Sequence, residues 1–207
     1  MFGTFRGLAF ASALVVAPGM ASAIPLDLSA LDTVAGGGGF NGGYATQITF
    51  DFDAARGTAN DRDNPLNALG PADDSFFEIG FGSAIALTFG TAFNTEVTVF
   101  EITFGNPAGF PESADVFAGF GGDFTFIDNI PNVDAQGGAT LALGDVGVFD
   151  TIVIFDTSNP ADVGNAATGG FDVDAVRVAP VPLPAAGLML VGAIGGLALM
   201  RRRRKPA

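Results

Sequence analysis

The sequence predicts an all-β domain, an antiparallel sandwich or barrel, set between two apolar ends. Three observations predict it. From Ile48 to Val178 apolar residues recur with a period of about two rather than 3.6. Clusters of Gly, Asn, Asp and Pro interrupt them at roughly ten-residue intervals, as turns between short strands do. No segment of this stretch carries a convincing amphipathic helix.

Taken in order, Ile48, Phe50 and Phe52 alternate with Thr49 and Asp51, and Ile85, Leu87 and Phe89 alternate with Ala84, Ala86 and Thr88. Both read as half-buried strands. Between Thr95 and Phe104 the apolar phase moves from Val97 and Val99 to Phe100, Ile102 and Phe104, which predicts a bulge or twist. Further strands are expected at Ala114 to Ala118, Phe124 to Ile127, Thr140 to Leu143, Thr151 to Phe155 and Phe171 to Val178. Ile152-Val153-Ile154-Phe155 is apolar on both faces and should be a central strand. The separators include Gly105-Asn106-Pro107, Gly121-Gly122-Asp123 and Ser158-Asn159-Pro160. Phe supplies nearly all the aromatic volume, 21 residues against one Tyr and no Trp, mostly at alternating positions, so it reads as core.

The two ends carry an address. Residues 1–23 hold Arg6, the apolar run Gly7 to Val16, a Pro18-Gly19 break and the small triplet Ala21-Ser22-Ala23, the pattern of a secretory signal peptide cut between Ala23 and Ile24. A Sec-type export machinery is the partner this implies. At the other end Ala185 to Met200 has no charged or amide side chain, and Arg201, Arg202, Arg203, Arg204 and Lys205 follow directly. At about 1.5 Å per residue such a helix reaches about 24 Å, a short transmembrane span that snorkelling Arg and a thinned bilayer accommodate. The basic block would stay on the cytoplasmic side and leave residues 24–180 outside the membrane.

Removing both ends exposes the charge of the middle. Arg56, Arg62 and Arg177 face all 22 acids, three positive against 22 negative, for a net −19 over residues 24–180. Nothing in such a domain neutralises phosphates, so nucleic acid is excluded as a partner. Self-repulsion at this charge invites a divalent cation. With no His and no Cys, the Ser-His-Asp, Cys-His and His-metal arrangements are all excluded. Paired carboxylates could still serve a hydrolase, but any acidic domain offers such pairs; two buried carboxylates of raised pKa in a cleft would favour one. Sugar binding lacks Trp, and the lone Tyr44 lies beside Gly36 to Gly39 and Gly42-Gly43, a stretch read as too flexible for a rigid platform.

Two carboxylate pairs are the candidate cation ligands, and calcium is the cofactor they predict. Asp61 and Asp63, with Asn60 and Asn64, gather oxygens in one turn-like segment, with Arg62 between them as the competing partner. Asp172 and Asp174 are placed on one face of the last strand, where like charges repel unless a cation or hydrogen-bond donors intervene.

The tail Val181, Pro182, Leu183, Pro184 and Ala185, followed by the Gly-rich apolar run and the arginine cluster, closely resembles the C-terminal sorting signals of the PEP-CTERM type in the V-P-L-P-A variant. The resemblance implies a temporary membrane anchor on residues 181–207, cut near the prolines by the membrane transpeptidase exosortase in a Gram-negative bacterium. Three phrases add a second resemblance: Asn64 to Gly70 leading into Phe81 to Phe89, Val99-Phe100-Glu101 before Glu112 to Val116, and Gly170 to Val176. Together they look like bacterial surface modules with a jelly-roll, galactose-binding-like sandwich. The combined expectation is a non-enzymatic exported protein with a jelly-roll-like β-sandwich at residues 24–180, delivered to the cell surface or extracellular matrix. The alternative is a carbohydrate-binding module for exopolysaccharide.

Overall fold

The computed structural model describes residues 23–25, 31–36, 42–103, 108–132, 138–144, 147–162 and 169–180. Among these the strands are β1 Ala23–Pro25, β2 Asp32–Ala35, β3 Gln47–Phe50, β4 Phe77–Glu78, β5 Ala84–Glu101, β6 Ser113–Phe120, β7 Asp123–Pro131, β8 Gly138–Ala142, β9 Phe149–Asp156 and β10 Asp172–Pro180. Short 3-10 turns at Ala59–Asp61 and Pro65–Ala68 lie between β3 and β4. Every strand pair is antiparallel.

Strand β5 builds both layers of a β-sandwich. Its first part pairs with β9 and β3, giving the order β1-β7-β6-β9-β5-β3-β2. Its second part pairs with β8 and β10, giving β8-β5-β10-β4. The change of sheet falls at Gly90, whose φ of +65° is left-handed and suits glycine. The β5/β9 register jumps there, from Thr88 opposite Thr151 to Phe93 opposite Phe149. Phe89, Phe93 and Phe149 fill the bend, with ring centroids 5.2 and 6.1 Å apart. A strand that switches sheets through such an irregularity closes the corner of a sandwich.

The alternation read from the sequence is the alternation that packs. Ile48 and Phe50, Ile85 and Leu87, Val97 and Val99, Ile152 and Ile154, and Val173, Val176 and Val178 all enter one buried core. Strand β9 lies between β5 and β6, with Ile152, Val153 and Ile154 all fully buried, as expected of a central strand. Gly121 and Gly122, with φ of +64° and +97°, form the two-residue turn between β6 and β7 that a tight hairpin requires.

Several expectations need correction. Phe52 does not continue β3: that strand ends at Phe50, and Phe52 is 71% exposed in the turn that follows. The segments expected as separate strands at Ile85 to Phe89 and from Thr95 onward are one bent strand. The irregularity predicted there lies across from it, between Val173 and Ala175 of β10, which oppose Glu101 and Phe100. Strands β2 and β4 were not foreseen, being too short for a period to show. Ile24 and Pro25 pair with Phe124 and Asp123, so the segment after the expected signal-peptide cut belongs to the first sheet. The signal peptide up to Ser22 and the tail at 181–207 lie outside the described residues; among those that are described, no helix is long and apolar enough to cross a membrane.

Replacing the fully buried Ile154 with Ala should cost about 2 to 5 kcal/mol in chemical denaturation. The exposed Phe52→Ala should change stability by less than about 0.5 kcal/mol.

Candidate functional site

The outer face of the smaller sheet carries a row of side chains drawn from four segments. Tyr44 stands opposite Arg177 of β10, Arg177 opposite Thr98 of β5, and Thr98 opposite Thr140 of β8. Tyr44 does not sit in a loose glycine stretch as the sequence suggested. The Ala45 amide donates to the Val176 carbonyl at 3.0 Å and the Val178 amide to the Gly43 carbonyl at 2.8 Å, so residues 43–45 extend the sheet beside β10. Ala45 is buried in the core, which turns Tyr44 outward. Its ring lies 6.5 Å from that of Phe100, tilted by 36°, and the Arg177 guanidinium sits 6.0 Å above it while its Nε donates to the Gly42 carbonyl. Phe100 and Thr98 cross over Gly138, where a Cβ would come within 2.8 Å of Thr98 and 3.2 Å of the Phe100 ring. The Thr98 and Thr140 hydroxyls meet at 2.9 Å. Two partly buried aromatic rings, a guanidinium and two hydroxyls therefore share one sheet-backed surface.

The second feature is buried. The ends of β4, β5, β9 and the start of β10 meet at one end of the sandwich, where Glu78, Glu101, Asp156 and Asp172 are each at least nine-tenths buried and the half-buried Glu112 joins them from just before β6. Each is held differently. Glu78 accepts from the Gly57 amide at 2.5 Å and forms an ion pair with Arg62 at 2.8 Å. Arg62 also covers the Phe76 ring, so it pairs with neither Asp61 nor Asp63. Asp156 accepts from the Gly82 and Phe171 amides, both at 2.9 Å, and from the Ser158 hydroxyl at 2.6 Å. Those donors oppose the burial that pushes its pKa up. Glu101 accepts from the Thr103 hydroxyl at 2.6 Å. Burial, then the charges of Glu101, Asp156 and Glu78, push the Glu112 carboxyl up to about 8. Asp172 is raised well above the usual carboxylate range, by burial and then by Glu112 and Glu78.

The four expected cation ligands separate. Asp61 and Asp63 are exposed, and Asp61 accepts from Asn64 Nδ2 and, through its carbonyl, from Asn67 Nδ2, both at 2.9 Å. Asp174 receives the Asp73 and Asp74 amides at 3.1 and 3.3 Å, so donors answer its charge. Asp172 alone of the four faces the buried cluster. Among the described residues no three carboxylates converge on a ready-made metal cage. The sequence reading missed Glu78, Glu101, Glu112 and Asp156 as a group. Each directly precedes or follows an apolar strand segment, a local signal that says nothing of their meeting.

Asp156 is fully engaged in holding loops together and Glu78 is neutralised by Arg62. The described residues that line a surface pocket are Asn94, Thr95, Ala142, Gly144, Gly147 and Val148.

No family model matches the chain, and no curated protein matches it. Among solved structures it is similar to the C-terminal domain of a chitobiase from Bacteroides fragilis, at 8% identity and a TM-score of 0.47, covering 77% of this chain and 99% of that one. It is also similar to CBM32-1 from a family 31 glycoside hydrolase of Clostridium perfringens, at 11% identity and a TM-score of 0.46, covering 63% and 92%. A truncated AlyQ with CBM32 and alginate lyase domains matches at 16% identity and a TM-score of 0.44; this chain spans 34% of it, and 25% of a Ruminococcus gnavus GH29 fucosidase. All these TM-scores lie below 0.5, and the sandwich rests on its own strand pairing.

Gly169 and Gly170 thread between the acids: a Cβ on Gly169 would run into the Glu78 carboxyl group and one on Gly170 into that of Asp156. Gly170→Ala should therefore lower stability by about 1 to 3 kcal/mol or more in a denaturation series. Ser158→Ala, which removes the hydroxyl donor to Asp156, should cost about 1.5 to 3 kcal/mol.

Proposed function

We propose that this protein is a non-catalytic, exported β-sandwich module that binds carbohydrate through the outer face of its smaller sheet. The observation that carries this reading is the seating of Tyr44 as an added strand segment beside β10, with its ring next to Phe100 and under Arg177. A sugar ring has an apolar C–H face and a rim of hydroxyls. Aromatic rings match the first, while a guanidinium and threonine hydroxyls match the second. A backing of paired strands keeps these groups in place, so little ordering entropy is lost on binding. With a net −19 over residues 24–180, the domain repels polyanions, which favours a neutral exopolysaccharide as the ligand.

Affinity electrophoresis of the purified chain in gels containing neutral exopolysaccharide tests this. Tyr44→Ala and Phe100→Ala should each weaken retardation about tenfold, a loss of about 1.4 kcal/mol. Thr33→Ala, on the exposed edge of the other sheet, should leave it unchanged. Equal retardation of all variants, or none with any neutral glycan, would remove the proposed face.

The address belongs to the same reading. The apolar ends support export through a Sec-type route, a transient membrane anchor and sorting by exosortase to the cell surface or matrix. Intact-mass measurement of protein from the native host should find a mature chain that begins at Ile24 and lacks Met189 to Ala207. A stable full-length species would instead make it a plain membrane-anchored protein.

A further inference from the structure

The end of the sandwich opposite the buried acids has a chemistry of its own. The corner at Gly90, the Gly121-Gly122 turn after β6, the segment 147–148 before β9 and the end of β10 meet there, with Pro180 opposite Phe93 and Phe93 opposite Phe149. Phe120 is 59% exposed and Val148 49%, at the ends of the neighbouring strands β6 and β9. Charge is scarce beside them. Among the described acids only Glu96, Asp123 and Asp150 lie at this end, while Asp27, Asp134 and Asp145 are outside the described residues. The others stand toward the Glu78 and Asp172 end or in the loops that leave it. Along β10, from Asp172 to Pro180, the two ends are about 26 Å apart at about 3.3 Å per residue.

We propose that this corner end is the face the domain turns to the lipid bilayer while the tail still anchors it, with Phe120 and Val148 dipping among the headgroups and the acidic end pointing away; this rests on the anchor reading of residues 181–207. The argument is one of reach and charge. Strand β10 ends at Pro180, and the apolar run begins at Ala185. At about 3.1 to 3.3 Å per step the chain between them spans at most about 16 Å. Headgroups occupy about 5 to 7 Å of that length, which holds the end of β10 within about 10 Å of them. Exposed apolar side chains at that distance gain by entering the headgroup and acyl boundary. The acidic end then stands well beyond the about 8 Å over which an anionic surface is felt at physiological salt. Turned the other way up, the domain would press most of its acids against the headgroups. With the strands along the bilayer normal, the Tyr44 face looks sideways and stays open while the chain is anchored.

The chain has no Trp, so a single Trp placed at an exposed position reports its surroundings alone. The full chain is inserted into phosphatidylcholine vesicles that include phosphatidylcholine brominated high on its acyl chains. Phe120→Trp and Val148→Trp should each lose about half of their emission to the bromine, since interfacial side chains reach about 5 to 10 Å into the headgroup and acyl boundary. Phe52→Trp and Phe110→Trp, exposed at the acidic end, should keep theirs and be quenched by acrylamide from the water instead. Bromine quenching at position 52 or 110, or none at 120 and 148 in a chain that floats with the vesicles, would overturn this orientation and leave the anchor standing. A chain that stays off the vesicles would remove the anchor reading and this face with it. Shielding from acrylamide at position 120 that grows with the number of chains per vesicle and ignores bromine would make the patch a contact between copies, and the lipid assignment would fall. Sugar binding by the Tyr44 face is read separately, so either proposal can fail alone.

Discussion

The structure depends on one continuous strand belonging to two sheets. Strand β5 pairs with β3 before Gly90, with β8 and β10 after it and with β9 on both sides of it, so all four neighbours take their register from a single segment. The bend fixes how the layers face each other, and the Phe89, Phe93 and Phe149 rings fill the space it leaves. Because β5 turns back, Ala84 and Glu101 finish at the same end of the sandwich, where Asp156 and Asp172 also lie. The acidic end is thus a consequence of the corner.

That end shows how a strongly acidic chain distributes its charge. Most of the described acids remain at least partly at the surface, where water solvates them and salt screens them. A few lie where strands end against loops, and these have become connectors. Asp156 holds the loop before β5 and the loop before β10 through the amides of Gly82 and Phe171, and the missing side chains of Gly169 and Gly170 let the backbone come that close. Glu78 does the same for the Arg62 turn and the Gly57 amide. These contacts replace disulfides in a chain without cysteine. The two halves of the molecule accordingly differ in chemistry: buried charge at the loop end, and a flat aromatic and hydroxyl surface on the smaller sheet.

The sheet face illustrates why composition misleads about rigidity. One Tyr and no Trp argue against a sugar platform, and glycines on either side argue against a rigid one. Yet rigidity comes from pairing, and the Gly43 carbonyl and Ala45 amide supply it by bonding to β10. Phe100, which the alternating pattern assigned to the core, is turned outward because Val97 and Val99 hold the inner face. The glycine at 138 then matters as a gap beneath the ring.

By itself the sequence determined what is local. Period two named most strands and picked β9 as central, because side-chain alternation is built into an extended backbone and a segment apolar on both faces has only a buried place to go. Missing His and Cys removed whole classes of chemistry. The tertiary structure alone decided which residues meet. Strand β5 could not be read as one strand, since its middle breaks the alternation where it changes sheets. Tyr44 and Arg177 are 133 positions apart, and Asp172 lies 60 or more from Glu112 and Glu101. Spacing drew attention to Asp61 and Asp63 because they are neighbours in the chain, but neighbours in a surface turn stay solvated. Desolvation makes a carboxylate demand a partner, and it is set by what packs around the group in space.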